Sequence, residues 1–275
     1  MHDKARQYLL RIEQDIQANR LILPSLPEVA IRVRQITDDV DSDARDLERE
    51  IARDATITAR LIKVASSSAV RRGQAVTSLR MAITTLGFSL VRTFVTQMAI
   101  LQMMNNATDK KRLQGFVASS LTISSLANSL AANLPGINGE QAALAGLLHD
   151  LGKLPLRDFL KGQKELSAEE SMEVELLLHP EVGAIMLRHW KMDESLVQVA
   201  REHETILRDP SPKPDYVDVI IAANILHYGT HSGRYAHYSD TPIPALVKCT
   251  QGQDLSSMEK NRDQRMAFTM HMINC

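Results

Sequence analysis

The chain has 275 residues, with 32 Lys and Arg against 33 Asp and Glu, 44% hydrophobic and 24% charged residues. That balance excludes a disordered chain, which would carry fewer apolar residues and more net charge, and at about 150 residues per domain it allows one or two domains with a sizeable core. A formal net charge of −1 and 4% aromatic residues leave no basic excess and few stacking platforms, so nucleic acid is not an expected partner.

Other partners and compartments are narrowed by the same reading. Arg60, Lys63, Arg71 and Arg72 form a local basic group that reads as a solvated helix end. Cys249 and Cys275 give no CxxC spacing and no disulfide framework, which fits a reducing cytoplasm. The start, Met1-His2-Asp3-Lys4, runs into a charged amphipathic stretch and does not read as a signal peptide. No apolar run approaches the roughly 20 residues of a membrane span. The longest, Val217 to Leu226, reads as a buried helix.

Apolar spacing at three and four predicts an all-α fold. A polar helix is expected over 3–20, with Tyr8, Leu9, Ile12 and Ile16 on one side, followed by an extended connector at Leu23-Pro24-Ser25-Leu26-Pro27. Helices follow at 27–39, 43–53 and 55–66, with Asp43 and Asp54 as caps. Residues 77–86 form the next, stopped by Gly87. Residues 88–105 form an apolar one whose methionines, Met98, Met103 and Met104, are filler for a core or for a homodimer interface. A long helix over 110–133, rich in small residues, ends at Pro135-Gly136. Further helices are expected at 139–150, 168–178, 180–190, 194–204 and 215–229, with a turn-rich loop at 207–214 and a last amphipathic piece near 255–272.

The chemistry concentrates at Leu148-His149-Asp150-Leu151-Gly152-Lys153. Asn138 with Gln141 resembles a capping box, so a helix starts there. It is apolar all round and therefore buried. Gly152 is placed to close it, and Pro155 bars its continuation. The buried helix thus ends by delivering an imidazole beside a carboxylate. That carboxylate requires a partner, which is either a backbone it caps or a metal ion. His179, before Pro180, reads as extended at the N-cap of the following helix. His203 lies on the stripe Leu196, Val199, Ala200, His203, as a satisfied core residue or a ligand. Together His149, Asp150, His179 and His203 suit a first-row transition metal, Fe, Mn, Ni or Zn. His2, His189, His227, His231, His237 and His271 read as fillers.

The His149-Asp150 pair, the following Leu-Gly-Lys, then His179 and His203 resemble the HD superfamily of metal-dependent phosphohydrolases. The connector Leu23 to Pro27, the segment Asp54 to Leu61 with Ile62 to Ser67, Ala82 to Gly87, and His179-Pro180-Glu181-Val182-Gly183 through Trp190 resemble the HDOD domain, the HD-related output domain of bacterial signalling proteins. The resemblance implies a compact multi-helix HD-like bundle preceded by a smaller N-terminal helical subdomain. The division expected is a helix at 1–20, an HDOD domain at 21–230 (an N-terminal part at 21–108 and an HD-like core at 109–230), and an extension at 231–275.

It also implies a role acting through signalling partners in the cytoplasm. The site departs from an active HD enzyme. Such an enzyme carries an early His before the HD pair, where Phe116-Val117-Ala118-Ser119-Ser120 has none. Its late Asp ligand aligns with Asn224, and paired histidines of cyclic-dinucleotide phosphodiesterases align with His203-Glu204. Losing two ligands weakens metal binding by several kcal/mol. A reduced mononuclear site would use His149, Asp150, His179, His203, Glu204 and Asn224. Asp150 and Lys153 are the catalytic candidates if chemistry survives. Lys153 would meet a phosphate or a nucleotide, or else serve as a cation at a helix C-terminus. Three functions follow: a regulatory module with a degenerate site, a metal-dependent phosphohydrolase, and a site that binds metal or a small anion without turnover.

Overall fold

A computed structural model describes residues 2–18, 20–66, 76–105, 110–163, 165–230 and 233–250. Among these the elements are thirteen α-helices and one 3-10 turn, with no strand, as the spacing predicts. The expected helix near 255–272 lies outside the described residues. No single described helix is long and apolar enough to cross a membrane. The chain forms two compact units. One takes the residues up to Ser25 and those from Thr122 on; the other runs Leu26–Leu121.

The Leu26–Leu121 unit begins with α2 (Glu28–Asp38), α3 (Ala44–Ile51) and α4 (Ala55–Ala65). Asp43 makes a reciprocal capping box with Asp46, and the Asp54 carboxylate accepts from the Ile57 amide at 2.9 Å. Ser78 caps α5 (Leu79–Leu86). Gly87, at φ 80°, then lets the chain turn sharply into α6 (Phe88–Asn105). Val33, Leu47, Ile51, Ile57, Leu61, Ile83, Val91 and Val95 are completely buried here. Met98 is buried too, its sulfur taking the Arg60 Nη1 at 3.4 Å. α7 (Lys110–Ala131) supplies residues to both units.

The other unit carries α1 (His2–Gln17), α8 (Gly139–Leu148), α9 (Lys153–Lys161), α10 (Ala168–His189), α11 (Glu194–Glu202), α12 (Tyr216–Tyr228), the 3-10 turn Gly233–Tyr238 and α13 (Pro244–Thr250). Tyr8 and Ile12 of α1 bury against Leu156, Phe159 and Leu160 of α9 and Val174, Leu178 and Val182 of α10, with Leu9 and Ile16 alongside. The extended connector is tied in as well, since the indole Nε1 of Trp190 donates to the Pro24 carbonyl at 2.7 Å.

Four expectations are corrected here. Pro155 does not end helical structure; it sits in the first turn of α9, where a missing N–H costs no ladder bond. Pro180 does not divide 168–190 into two helices. α10 runs through it, and His179 is a helix-interior residue rather than an extended N-cap. Packing against α9 and α11 overrides the local preference of the residue before proline. Asn138 caps α8 through the Gln141 amide at 2.9 Å, but the Gln141 side chain does not close a box; it donates to Asp193 and Ser195.

The fourth concerns Gly152. It is not a left-handed helix stop, since its φ is −58°. A Cβ there would overlap the His179 carbonyl and the Gly183 amide. Glycine is required because the α8–α9 turn rests directly on the backbone of α10. Gly146 does the same against α7, where a Cβ would lie 2.7 Å from the Ser124 Cα.

These contacts set a contrast. G152A should destabilise the protein by about 3 kcal/mol or more, because backbone on both sides must move. G115A, mid-helix in α7 with open space around its Cβ position, should stabilise it by about 0.5–1 kcal/mol. Urea denaturation of the two variants checks both signs.

Candidate metal centre

Three helix segments and one turn bring the titratable residues together. His149 is the C-cap of α8, and Asp150 follows it in the turn that Gly152 presses onto α10. His179 comes from the middle of α10. His203 is the C-cap of α11, with Glu204 next in the chain. The loop after Glu204 is pinned by Arg208, whose guanidinium reaches Glu202, Asp215 and Asp218 at 2.9–3.1 Å.

Each imidazole is oriented by the same device. His149 Nδ1 donates to the Gly146 carbonyl at 2.8 Å, and His179 Nδ1 to the Glu175 carbonyl at 2.9 Å. His203 Nδ1 donates to the Ala200 and Val199 carbonyls at 2.9 and 3.1 Å. Carbonyls only accept, so Nδ1 carries a proton in every ring, and Nε2 is the atom that holds the lone pair when the ring is neutral. Carbonyl-tied Nδ1 groups are the usual outer support of metal-binding histidines.

Four Nε2 and carboxylate atoms then converge. The Nε2 atoms of His179 and His203 lie 3.1 Å apart. Asp150 Oδ1 is 3.1 Å from the first and 3.3 Å from the second. Glu204 Oε1 is 3.5 Å and 3.2 Å from them. Bonds of about 2.1 Å to one ion would space neighbouring donors by about 3.0 Å in an octahedron and about 3.4 Å in a tetrahedron. The observed spacings, 3.1–3.5 Å, match that range to within about 0.1 Å. Two further observations fit an ion. His179 and His203 are 0% exposed, and the buried Asp150 Oδ1 accepts no hydrogen bond, an arrangement that costs about 1–3 kcal/mol without a partner. Asp150, His179, His203 and Glu204 therefore form a candidate metal-binding cluster, and its imidazole and carboxylate donors suit Fe, Mn, Ni or Zn.

The other nominated residues stand around this cluster. His149 is not one of the four; its Nε2 is 3.6 Å from Asp150 Oδ2 and its ring packs edge-on against His203, centroids 4.9 Å apart. Lys153 opens α9, rather than closing α8, and its ammonium pairs with Asp150 Oδ2. Asn224 on α12 is 0% exposed, and neither its Oδ1 nor its Nδ2 has a hydrogen-bond partner. Arg234 was not foreseen. Its guanidinium pairs with Glu204 Oε1 from the 3-10 turn, in a tail with too little apolar periodicity to announce an element. Each carboxylate of the cluster thus has its own cation.

The electrostatics follow from burial and these contacts. Burial holds the His149 imidazole down at about 3, in spite of Asp150 beside it. Burial also opposes charge on His203, but the Asp150 and Glu204 carboxylates facing it outweigh that and lift it to about 9. Burial likewise disfavours the Asp150 carboxylate, yet His149, Lys153 and the facing imidazoles of His179 and His203 hold it well below the usual range.

Comparison with known proteins places the fold. A profile of the HDOD domain matches residues 23–206. An uncharacterised protein of Treponema pallidum (strain Nichols) is 20% identical over 219 residues, covering 74% of this chain; the chain spans 42% of that relative's length. Among solved structures, a protein of Shewanella amazonensis SB2B, provisionally named a metal-dependent phosphohydrolase, superposes with a TM-score of 0.73 at 23% identity over 97% of this chain and 99% of its own. An HDOD domain protein of unknown function from Geobacter sulfurreducens gives 0.70 at 17% identity, over 98% and 96%. A protein of Marinobacter aquaeolei VT8, provisionally named for signal transduction, gives 0.65 at 21%, over 98% and 66%. At these identities the likeness is one of fold.

The two shifted histidines predict opposite pH limbs for the metal-free protein. His149 unfolded takes a proton below its ordinary 6.5, whereas folded it resists down to about 3. Stability is therefore lost as pH falls through that window, by up to about 1.4 kcal/mol per pH unit. His203 acts in the other sense: its contribution is complete below 6.5 and is lost as pH rises toward about 9. In chelator, H149Q should flatten the acid limb between about pH 6.5 and 4, and H203Q the alkaline limb, in urea titrations at a series of pH values.

Proposed function

Because the chain belongs to the HDOD domain family, we propose that it is a signalling module of the cytoplasm that holds one divalent first-row metal at Asp150, His179, His203 and Glu204 and acts through protein partners without turning over a substrate. One observation carries the metal-binding part: two imidazole Nε2 lone pairs and two carboxylate oxygens converge within 4.8 Å of one another. An ion there supplies a fixed positive charge that polarises an oxyanion bound beside it. The chain's own residues do the rest. The Gly146, Glu175 and Ala200 carbonyls fix the imidazoles, Lys153 steadies Asp150, and Arg234 steadies Glu204.

The argument against turnover is one of missing donors. Phe116 to Ser120 offer no imidazole, and the residue on the last core helix is the neutral Asn224. Hydrolysis calls for an ion held firmly enough to activate water, and commonly for a second one. One feature favours the second reading, a mononuclear phosphohydrolase. Lys153, paired to Asp150, sets a cation directly beside a residue of the cluster.

Metal analysis separates these possibilities. The purified protein should take up one Mn, Fe, Ni or Zn per chain. H179Q and H203Q should each weaken uptake about a hundredfold or more, since each removes one of four donors. Circular dichroism should remain helical. Phosphomonoesters, nucleotides and cyclic dinucleotides should show no turnover above background. Turnover abolished by H149A would establish the enzyme instead, and an empty site with no stabilisation by added metal would overturn both readings.

A further inference from the structure

The unit that holds the cluster leaves a second set of buried polar atoms unpaired, and they lie on elements packed around it. Among the described residues, Asp150 Oδ1, both amide atoms of Asn224 and the Tyr235 hydroxyl are the buried side-chain atoms of this unit without a hydrogen-bond partner. Tyr235 is 2% exposed and Asn224 0%. Tyr235 sits in the 3-10 turn Gly233–Tyr238, next to Arg234, whose guanidinium carbon lies 5.3 Å from its ring centroid. The turn packs on α12, which carries Asn224, and α12 packs on α8 and α11, whose C-caps are His149 and His203. Among the described residues Arg234 makes one side-chain hydrogen bond, through one nitrogen to Glu204, although a guanidinium offers five N–H donors.

Charge points the same way. Asp150 is matched by Lys153 and Glu204 by Arg234. Once His179 and His203 bind through neutral imidazole, the two positive charges of the ion have no counter-charge among the described residues of the cluster. A small dianion rich in acceptor oxygens would balance that charge.

We propose that Arg234 and Tyr235, with Asn224, form an oxyanion-binding wall beside the cluster, and that the ligand is a phosphoryl dianion. Guanidinium, phenol and carboxamide N–H are all donors, which suits an acceptor-only group. The wall lies outside residues 23–206, the span of the family profile, so it would set the ligand preference of this chain rather than of the family. The proposal rests on the metal-binding reading above.

The test is isothermal titration of inorganic phosphate, with acetate as the monoanion comparator, into the full chain with and without Mn. The Mn-loaded protein should bind one phosphate per chain, more tightly than acetate, and about tenfold more tightly than the metal-free protein. R234Q should weaken phosphate binding about tenfold and Y235F several-fold, while Mn uptake measured without phosphate is unchanged in Y235F. Y235F keeps the ring and its packing, so it reports on the hydroxyl alone. Stoichiometric Mn with no phosphate binding, equal affinity for acetate, or undiminished phosphate binding by R234Q would overturn the wall and leave the metal reading standing. Failure to bind Mn would overturn the metal reading, and the wall with it.

Discussion

Two imidazole nitrogens facing each other at 3.1 Å, each with its proton on the far side of the ring, form a contact that neutral histidines do not hold by themselves. Two lone pairs repel. Something positive must lie between them, and only a proton or a metal ion is small enough. In the metal-free chain a proton serves, and the Asp150 and Glu204 carboxylates hold it on His203 up to about 9 in spite of burial. An ion would replace that proton and draw in Asp150 Oδ1 and Glu204 Oε1, which already lie 3.1–3.5 Å from the same two nitrogens.

The fold enforces the contact through helix ends. The last turn of a helix leaves carbonyls without intrahelical donors. His149 and His203, as C-caps of α8 and α11, turn their Nδ1 groups back onto those carbonyls. One bond thereby satisfies a helix terminus and fixes a tautomer. His179 reaches the Glu175 carbonyl one turn earlier in α10, where the helix continues through Pro180. Gly152 then sets the distance between the two halves of the site, because only a residue without Cβ lets the Asp150 turn rest on the backbone at His179 and Gly183. The glycine and the ligands are a single design: widen that approach and Asp150 leaves the imidazoles.

Much of this was legible in the sequence. The three-and-four spacing, the Asp43, Asp54 and Asn138 caps, and the His149-Asp150 pair on an all-apolar helix each carry a local signal strong enough to read. What was not legible depended on tertiary packing. Pro155 and Pro180 act as breakers in isolation, but one falls in a first turn and the other in a helix clamped by its neighbours. Gly152 reads as a stop, and only the position of α10 shows it to be a close approach. Arg234 lies in a six-residue turn with no periodicity, 30 residues from the carboxylate it meets. No pattern along the chain could pair those two.

The same pairing explains why a cluster short of donors can persist. A buried carboxylate without a counter-charge is strongly destabilising. Here Lys153 and Arg234 neutralise Asp150 and Glu204 before any ion arrives. The folded state is therefore not held hostage to metal supply, as a small zinc domain would be. The cost is a weaker pull on the ion, since each cation competes with it for the same carboxylate.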